Sequence, residues 1–514
     1  MIRSPVAAAG VAAAGGLALP LALAPFDWTL LAPLSAALLL AALHGRGPGA
    51  AFLVGWIGGL ARYGLGVSWV YVSIHEHGNA SPLLAGALVA VFVAALALFP
   101  AAAAGTFGAL RPRSPLAATL AFTGLWVLLD WVLTWFLTGF PWLYLGYAHE
   151  AGPLGGWAPV GGVHLVTAGS AFTGAALWLL VVERGRTRAA RACAAVVVLL
   201  WLAGAGLSRV EWGRPAGAPL TVALAQGAIP QEIKWRRESR QLVVRRYLAL
   251  TNAHWDADLV IWPEAAITQF RPEAAPLLAR LGDQAARHGG TLVLGIPDYA
   301  PDPDDPERYD FLNTAIAVGR GEGRYVKQRL VPFGEYVPLE GLLRGLIEFF
   351  DLPMSHARAG APDQAPLVAD GHRLAVAICY EIVYPDLVRA LAEDVELLVT
   401  ISNDTWFGDS IGPSQHMQMA RFRARELARP LLRATNDGIT ALVDHRGRET
   451  ARLGRFVPGV LTGTAEPRTG ATPFAVTGSW PAVVLGIVLM GAGAALSRSR
   501  GASQPSTRAS QSGT

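Results

Sequence analysis

The hydrophobic pattern divides the chain into an apolar N-terminal part, a mixed middle part and a short apolar segment near its end. A run of about 18 or more mostly apolar residues is long enough to cross a bilayer as a helix. Seven runs precede residue 210, of which the second and the last are short, and an eighth follows the middle part. The predicted spans cover residues 6–24, 26–43, 50–72, 82–110, 116–137, 163–182, 192–207 and 474–496. Because further spans follow the first, we expect it to be a retained helix and not a cleaved signal peptide.

The middle part alternates short apolar stretches, typical of strands, with polar stretches of helical period. This repetition predicts an α/β layered domain, in which chemistry gathers at the carboxyl ends of strands. Glu264 and Cys379 both follow such ends. The predicted strands cover residues 220–226, 258–263, 292–296, 313–318, 325–327, 374–378, 396–402 and 438–443, and the predicted helices cover 229–253, 274–288 and 416–432.

Two stretches of the middle part suggest contact with other surfaces. The helix predicted at 416–432 carries Arg421 and Arg425 on one face, which is typical of a solvated or a docking face. Residues 339–354 are too apolar for a surface loop. We expect them to form an arm that dips into the membrane interface, with an ordinary buried helix as the alternative.

Length and composition agree with this division. A chain of 514 residues exceeds one ordinary core, and a composition of 52% hydrophobic and 16% charged residues indicates membrane spans. The predicted parts are a seven-helix transmembrane bundle at 1–210, the α/β domain at 211–472, which carries the candidate chemistry, an eighth transmembrane helix at 473–497 and a disordered tail at 498–514.

Arginines are distributed asymmetrically around the predicted spans. The loops of one side, at 25–27, 73–81 and 138–162, contain no Lys or Arg. The positive-inside rule therefore predicts cytoplasmic termini and a middle domain in the periplasm or its equivalent. These arginines explain most of the net charge of +4, which does not indicate nucleic-acid binding. The arginines of the inner side are Arg3, Arg46, Arg111, Arg113, Arg184, Arg186, Arg188, Arg191, Arg498 and Arg500.

Polar residues within and beside the spans are further candidates. Arg62 and Asp130 fall inside predicted helices, where a charged side chain usually faces a partner or a wet cavity. The alternative is that each lies near a helix end and extends its charge to the interface. His75 and His77 resemble a two-histidine metal site, but no third ligand is evident nearby, so we expect no metal.

The chain has two cysteines, and only Cys379 lies outside a predicted span. Cys193 falls in the seventh span, so we expect no disulfide. Cys379 is either a small core residue or a nucleophile, and a nucleophile needs a proton acceptor and an oxyanion donor. Glu264 is a candidate base if it is half-buried, and a solvated loop carboxylate otherwise.

Lysine is rare in this chain. Lys234 and Lys327 are the only lysines among 42 basic residues, so arginine is used wherever charge alone suffices. A compact ammonium group can approach a developing oxyanion in a way that a guanidinium cannot. Lys327 ends a predicted strand and precedes a dense motif, which makes it the candidate oxyanion donor, whereas Lys234 could be accidental.

Three motifs together resemble the nitrilase (carbon–nitrogen hydrolase) superfamily and its Glu-Lys-Cys triad. They are Trp262-Pro-Glu264, Lys327 with Val331-Pro-Phe-Gly-Glu335, and Ile378-Cys-Tyr-Glu381. Further segments, with the eight spans, are similar to the apolipoprotein N-acyltransferase family in particular. These segments are 226–230, Lys234-Trp235, 66–71, 140–142 and 402–408, and the resemblance extends over nearly all of the chain up to residue 500.

The resemblance implies a fold and a reaction. The fold is that of an α+β membrane protein, in which eight transmembrane helices carry a periplasmic nitrilase-like α-β-β-α sandwich. Glu264 would deprotonate Cys379, whose thiolate would take a fatty acyl group from a phospholipid as a thioester while Lys327 stabilises the oxyanion. The α-amine of a diacylglyceryl-cysteine at an apolipoprotein N-terminus would then accept the acyl group.

The resemblance also implies supporting residues and partners. Glu335, Tyr380 and Glu381 would support the triad, and Trp235 and Trp406 would contact substrate. The partners implied are a membrane phospholipid, the diacylglyceryl apolipoprotein and the bilayer of a bacterial inner membrane, with no cofactor and no nucleic acid. We expect a monomer, because one chain carries a complete triad.

Three other functions remain as alternatives. A serine hydrolase would use Gly408-Asp-Ser410-Ile-Gly412 with Asp437 and His445, but that motif should lie directly between a strand and a helix. A membrane-anchored nitrilase or amidase would share the triad without needing so many spans. A transporter with an outer binding domain would explain the spans but not the triad.

Overall fold

The computed structural model of this protein describes residues 2–302, 309–336 and 357–502. The apolar arm predicted at 339–354 lies outside the described residues, as does most of the tail predicted at 498–514. Within these ranges the chain forms a helical bundle, a domain built on two β-sheets, and a final helix that returns to the bundle.

The helices of the bundle follow the apolar runs. Within the described ranges, six helices have the length and composition to cross a membrane: Pro5–Ala22, Pro82–Leu110, Pro115–Val132, Pro153–Val182, Arg188–Leu207 and Trp480–Arg498. Pro48–Gly66 and Trp69–His77 would form a seventh span as one pair that bends by 56°. Leu31–Leu43, the second predicted span, is an apolar helix of 13 residues.

Local sequence signals fix several helix starts. A serine followed by proline begins three bundle helices, and the hydroxyls of Ser4, Ser81 and Ser114 accept hydrogen bonds from backbone N–H groups three residues later. Serine is a favoured N-cap, and proline suits the first helical turn because its missing N–H needs no partner there.

The α-helices have the following bounds. In the bundle they are Pro5–Ala22, Leu31–Leu43, Pro48–Gly66, Trp69–Val72, Pro82–Leu110, Pro115–Val132, Ala158–Val182, Arg188–Leu207, Pro473–Thr477 and Trp480–Ala502. In the two-sheet domain they are Gln231–Lys234, Arg240–Thr251, Ala275–Arg287, Pro385–Leu391 and Gly412–Leu427.

In the described residues, two six-stranded sheets form the second domain. The first has the order β13-β2-β3-β4-β5-β6 and the second β12-β11-β10-β9-β8-β7, while β1 pairs with β14. In each sheet three neighbouring strands are parallel, β2, β3 and β4 in the first and β8, β9 and β10 in the second. The strands are β1 Arg214–Pro215, β2 Leu220–Gln226, β3 Leu259–Ile261, β4 Thr291–Pro301, β5 Tyr309–Gly319, β6 Arg324–Val326, β7 Leu367–Ala369, β8 His372–Ile378, β9 Leu397–Ser402, β10 Leu431–Thr435, β11 Ala441–Val443, β12 Glu449–Arg452, β13 Gly459–Ala465 and β14 Arg468–Thr469.

The sheets pack face to face between helical layers, which is the arrangement of an α-β-β-α sandwich. Leu374, Val376 and Ile378 of β8 belong to the core shared with the first sheet, whereas Ala375 and Ala377 face the other way. This alternation follows from the two-residue period of a strand. The helices Arg240–Thr251 and Ala275–Arg287 cover the far side of the first sheet.

Two predicted helices are wrong in their bounds. The helix predicted at 229–253 is broken into Gln231–Lys234, a 3₁₀ turn and Arg240–Thr251. The helix predicted at 416–432 ends at Leu427, because Ala428 takes a left-handed conformation and Pro430 follows. Its predicted last residues instead begin β10, a strand buried in the second sheet.

The helix Gly412–Leu427, hereafter the docking helix, joins the two-sheet domain to the bundle. Gln415 accepts a hydrogen bond from the indole N–H of Trp142 at 2.7 Å, and Glu426 accepts one from the Val163 N–H at 2.7 Å. Arg421 pairs with Glu150 at 2.8 Å, and Arg425 donates to the Glu150 carbonyl. Of the two possibilities for this arginine face, docking is therefore confirmed.

Candidate active site

The three triad candidates meet at one end of the sandwich. Glu264 follows β3, Lys327 directly follows β6 and Cys379 directly follows β8, so each leaves a strand at the same edge of the facing sheets. Lys327 Nζ lies 3.6 Å from Glu264 Oε1, and the exposed fractions of these residues are 1% and 7%. Sequence positions that are 63 and 52 residues apart thus form one buried cluster.

The turn after β3 brings Glu264 to its position. Trp262 extends the strand by donating its N–H to the Val293 carbonyl at 2.9 Å, and Pro263 then ends it. The neighbouring strand passes so closely that a Cβ on Gly295 would lie 2.6 Å from the Glu264 Cα. Glycine at residue 295 is therefore required for this packing.

Glu264 is held on both carboxylate oxygens. Asn313 Nδ2 donates to Oε1 at 2.7 Å, and the Asn403 backbone N–H donates to Oε2 at 2.8 Å. Lys234 Nζ, which is fully buried, donates to the Glu264 backbone carbonyl at 3.1 Å. These donors fix the direction of the carboxylate, as a general base requires.

Lys327 is held by a second carboxylate. Its Nζ lies 2.9 Å from both oxygens of Glu335, whose Oε1 also accepts from Asn313 Nδ2 at 2.9 Å. Burial alone would lower the Lys327 pKa, but the charges of Glu335 and Glu264 outweigh it and hold that pKa above its usual range. Lys327 is therefore a permanent ammonium group beside the other two triad residues.

Cys379 is half-buried and has a left-handed backbone conformation, with φ at +54°. It ends β8 and begins the 3₁₀ turn Cys379–Val383. Burial raises the pKa of its thiol, the Glu264 charge raises it further, and the Lys327 charge partly opposes both. The resting residue is therefore a thiol that needs a neighbouring base to become nucleophilic.

Glu381 ties the two catalytic strand ends together. Its Oε1 accepts from the Tyr325 hydroxyl at 2.8 Å and the Gln328 N–H at 2.6 Å, and its Oε2 accepts from the Ile378 N–H at 2.7 Å. Burial raises its pKa to about 7, and the backbone donors and Lys327 oppose that rise. The residue joins the segment after Lys327 to the strand before Cys379, which is a positioning role.

Tyr380 connects the catalytic turn to the bundle. Its hydroxyl donates to the Gly139 carbonyl at 3.4 Å, and its ring stacks on Trp142 with centroids 6.4 Å apart. The Tyr384 hydroxyl donates to the Thr138 carbonyl at 3.1 Å. The aromatic segment after the fifth predicted span thus contacts the turn that begins with the nucleophile.

The two tryptophans predicted to contact substrate have different surroundings. Trp235 follows the buried Lys234 and is partly buried. The Trp406 carbonyl accepts from Ser73 Oγ at 2.7 Å, and its ring lies 5.7 Å from that of His77. Trp406 therefore contacts the second helix of the bent pair, at Trp69–His77. Contact of either tryptophan with substrate stays a prediction.

The other polar candidates have different partners. Arg62 pairs with Asp130 at 3.6 Å and donates to the Leu143 carbonyl at 2.8 Å. Each of these two charged side chains therefore faces a partner, and that partner is the other charged side chain. His75 Nδ1 lies 2.8 Å from the Ala80 carbonyl oxygen. In the part of the chain that the structure describes, no group of three His, Cys, Asp or Glu side chains is placed to hold a metal ion.

The serine hydrolase alternative lacks its geometry. A 3₁₀ turn at Asp404–Phe407 separates Ser410 from the preceding strand. His445 pairs with Glu211 at 3.1 Å. It follows β11, which runs antiparallel to β10, so it lies at the opposite end of the second sheet from the catalytic turn that follows β8. Ser410 Oγ accepts from the Gly412 N–H at 3.2 Å within its own turn. These contacts do not form a catalytic triad.

Several site residues were missed by sequence reasoning. Lys234 could be accidental on sequence grounds, and the rarity of lysine is the signal that would have identified it. Asn403 lies in the segment 402–408, and the sequence indicates no role for this residue. Asn313 begins a predicted strand, and nothing in its local pattern indicates that its amide would join two carboxylates.

Models of two families match successive parts of the chain. The model described as "Apolipoprotein N-acyltransferase N-terminal domain" matches residues 15–176, and that described as "Carbon-nitrogen hydrolase" matches residues 221–474. The first therefore falls on the bundle and the second on the two-sheet domain.

Curated relatives match over almost the full length. The apolipoprotein N-acyltransferase of Pseudomonas syringae pv. tomato is 45% identical over 483 residues, which is 93% of this chain and 94% of the relative. That of Azotobacter vinelandii is 46% identical over 487 residues, which is 94% of this chain and 93% of the relative. Among solved structures, the Caenorhabditis elegans NitFhit protein is similar with a TM-score of 0.37 and 17% identity, covering 54% of this chain and 64% of that one.

Proposed function

The chain belongs to the apolipoprotein N-acyltransferase family, and from this premise we propose that it transfers a fatty acyl group from a phospholipid to the N-terminal α-amine of diacylglyceryl apolipoproteins. The observation that carries the proposal is the convergence of Glu264, Lys327 and Cys379 at a catalytic turn whose next residue, Tyr380, packs on Trp142 of the bundle. A lipid substrate would come from the bilayer to reach such a site.

In the first half-reaction Glu264 accepts the proton of the Cys379 thiol. The thiolate attacks the acyl ester carbonyl of the phospholipid, and the carbonyl oxygen becomes an oxyanion. Collapse of this intermediate breaks the ester C–O bond, and the leaving alkoxide takes the proton back from Glu264. The products are a lysophospholipid and a Cys379 thioester.

Lys327 stabilises the oxyanion in both half-reactions. Its charge is secured by Glu335 and Glu264, and its position is fixed by the two contacts of 2.9 Å to Glu335. A preorganised cation in a dry site lowers the energy of a developing negative charge without reorganising at the moment of reaction. Glu335 acts through Lys327 and is a positioning residue.

In the second half-reaction the α-amine of the acceptor attacks the thioester. Glu264 accepts a proton from the attacking nitrogen, the C–S bond breaks, and the Cys379 sulfur is reprotonated. An amide forms and the thiol is restored, so no net proton or electron is consumed. We expect Trp235, which follows the buried Lys234, and Trp406, which contacts Ser73 of the bundle, to contact the substrates.

The proposal includes an orientation. Both termini would lie in the cytoplasm and the two-sheet domain in the periplasm, which is supported by the one-sided distribution of arginines around the spans. All eight apolar runs would cross or enter the bilayer, including the short helix Leu31–Leu43 and the bent pair at Pro48–His77. One chain supplies the complete triad, which supports a working monomer.

The test is intact mass measured on the purified full-length protein in phospholipid vesicles. We expect an added mass equal to one fatty acyl group that hydroxylamine removes. Cys379→Ala should lack this adduct, and Cys193→Ala should keep it, since Cys193 lies in the bundle helix Arg188–Leu207.

Addition of a diacylglyceryl-cysteine peptide should then discharge the adduct and give an N-acylated peptide. Release of free fatty acid with an unmodified peptide would instead indicate a hydrolase with the same triad. An adduct that persists in Cys379→Ala would exclude this nucleophile.

A further inference from the structure

The backbone of the nucleophile is bound by a histidine that the proposed chemistry does not use. His416 of the docking helix places Nε2 3.1 Å from the Cys379 carbonyl oxygen, and its side chain is 1% exposed. A carbonyl oxygen can only accept, so Nε2 carries a proton and donates it. Because Nε2 is engaged with the carbonyl, His416 does not serve as the base for the Cys379 sulfur.

Two buried charges fix the orientation of this imidazole. Its Nδ1 lies 3.1 Å from Asp404 Oδ1 and 3.0 Å from Arg433 Nη2, and Arg433 donates to Asp404 Oδ2 at 2.7 Å. Ser402 Oγ adds a hydrogen bond to Asp404 at 2.5 Å. The side chains of Asp404 and Arg433 are both 0% exposed.

The protonation states of this cluster are also determined. Burial would raise the Asp404 pKa, but the Arg433 charge opposes it, the hydrogen bond from Ser402 adds to that effect, and the pKa lies well below its usual range. Burial and Arg433 lower the His416 pKa. The ring is therefore neutral, with its single proton on Nε2 and its Nδ1 accepting from Arg433.

This cluster acts on a peptide group whose direction matters for catalysis. The left-handed conformation of Cys379 is costly for a residue other than glycine and persists only where its surroundings impose it. The peptide unit is planar and trans, so fixing the Cys379 carbonyl fixes the Tyr380 N–H in the opposite direction. Tyr380 lies in the first positions of the turn Cys379–Val383, where an N–H has no acceptor within the turn.

We propose that His416, oriented by Asp404 and Arg433, is a positioning residue that anchors the Cys379 carbonyl and thereby aims the Tyr380 N–H at the acyl oxyanion. The inference rests on the proposed function. His416 does not touch substrate. Its effect is confined to steps in which the carbonyl oxygen of an acyl group attacked by, or bound to, the Cys379 sulfur becomes negatively charged. Steps that need only the thiolate are independent of it.

The test compares two reactions of the same sulfur, in a Cys193→Ala background. One is thioester formation from phospholipid, which passes through an oxyanion. The other is alkylation of Cys379 by chloroacetamide, which forms no oxyanion. His416→Leu should slow thioester formation by about 100-fold or more, the usual effect of one lost oxyanion donor. Alkylation should change by less than about threefold, since thiolate formation is retained.

A conservative variant and a control complete the design. His416→Gln keeps an N–H donor at a similar reach and should recover most of the rate of thioester formation. His445→Gln changes a histidine of the same domain that pairs with Glu211 near the chain's β1, and both of its rates should equal the wild-type rates. His416→Met offers a second side chain without a donor, should the leucine variant not fold.

The outcomes separate the two proposals. Parallel loss of both rates would overturn the inference, because His416 would then act on the thiol or on the fold. Wild-type rates for thioester formation in both His416→Leu and His416→Met would also overturn it. If the wild-type protein forms no thioester although Cys379 is alkylated, the proposed function itself fails.

Discussion

Lys234 donates from Nζ to the backbone carbonyl of Glu264 at 3.1 Å, so both lysines of the chain lie beside one carboxylate residue. Lys327 approaches the Glu264 side chain and Lys234 approaches its main chain. Glu264 is thus held by two lysines. Lys327 forms an ion pair with Glu335, whereas Lys234 has no ion-pair partner of its own among the described residues.

Lys234 should make the rate depend on pH. Burial lowers its pKa to about 8, opposed by the charges of Glu264, Asp437 and Cys379. Below that pH it is an ammonium that stabilises the carboxylate and the thiolate, and above it the charge is lost. The ratio of wild-type to Lys234→Met rates of thioester formation should therefore be about tenfold at pH 7 and fall toward one by pH 9.5.

Because a ratio is measured, the general increase in thiolate with pH cancels. Arg236→Met, at an exposed neighbouring position, serves as control and should give a ratio near one at every pH. A wild-type to Lys234→Met ratio that stays constant across pH 8 would contradict a charge effect from Lys234.

Glu264→Gln should separate thiol reactivity from acyl transfer. Burial and then the Glu264 charge raise the Cys379 pKa, so removing that charge lowers it. At pH 8 alkylation of Cys379 should become severalfold faster, while thioester formation falls by about 1,000-fold for lack of a base. Mass spectrometry of both adducts measures this, and slower alkylation in Glu264→Gln would show that the carboxylate activates the thiol in the resting state.

Glu335→Gln should impair catalysis without unfolding the protein. The amide keeps the size of the side chain but supplies one acceptor oxygen where Lys327 and Asn313 now find two. We expect thioester formation to fall by about 100-fold through a displaced and less confined ammonium. Glu273→Gln, which changes a half-exposed partner of Arg240, should leave the rate unchanged. Equal rates for Glu335→Gln and the wild type would remove Glu335 from the positioning of Lys327.

Glu426→Ala should test the attachment of the two-sheet domain to the bundle. Glu426 pairs with Arg423 at 2.8 Å, with both side chains 0% exposed, and accepts the Val163 N–H. Removing one partner of a buried pair leaves an uncompensated charge and should lower the free energy of unfolding by about 3–5 kcal/mol. Thermal unfolding in detergent measures the loss.

Glu466→Ala is the matched control for that experiment, because Glu466 pairs with Arg468 at 2.6 Å but is 43% exposed. Glu466 is half-exposed, and the buried Arg468 keeps Glu211 as a second partner at 3.0 Å, so losing Glu466 should cost about 0–1 kcal/mol. Similar unfolding temperatures for Glu426→Ala and Glu466→Ala would mean that the Arg423–Glu426 pair does not secure the docking helix.

Much of the site could be predicted from local sequence because its residues follow strand ends. The apolar runs before Glu264 and Cys379 mark where chains emerge from a buried sheet, and the rarity of lysine marks Lys327. The bundle helices could be predicted for a similar reason, since a long apolar run carries its own signal.

Contacts between distant strands could not be predicted in this way. The helix predicted at 416–432 includes the first two residues of β10, since leucine suits both structures, yet pairing with β9 and β11 makes β10 a central strand. Asn313 and His416 are single polar residues whose partners lie on other elements, at Glu264 and Cys379. A local pattern contains no information about such partners.

The docking helix has a consequence for any attempt to use this catalyst in water. Its His416 binds the backbone of the nucleophile. Its Gln415 and Glu426 accept hydrogen bonds from Trp142 and Val163 of the bundle. A soluble fragment cut from the chain at residue 214 would leave Gln415 and Glu426 without these donors and would expose the apolar side of the same helix. Solubilising the catalyst would therefore mean redesigning the element that also shapes its nucleophile.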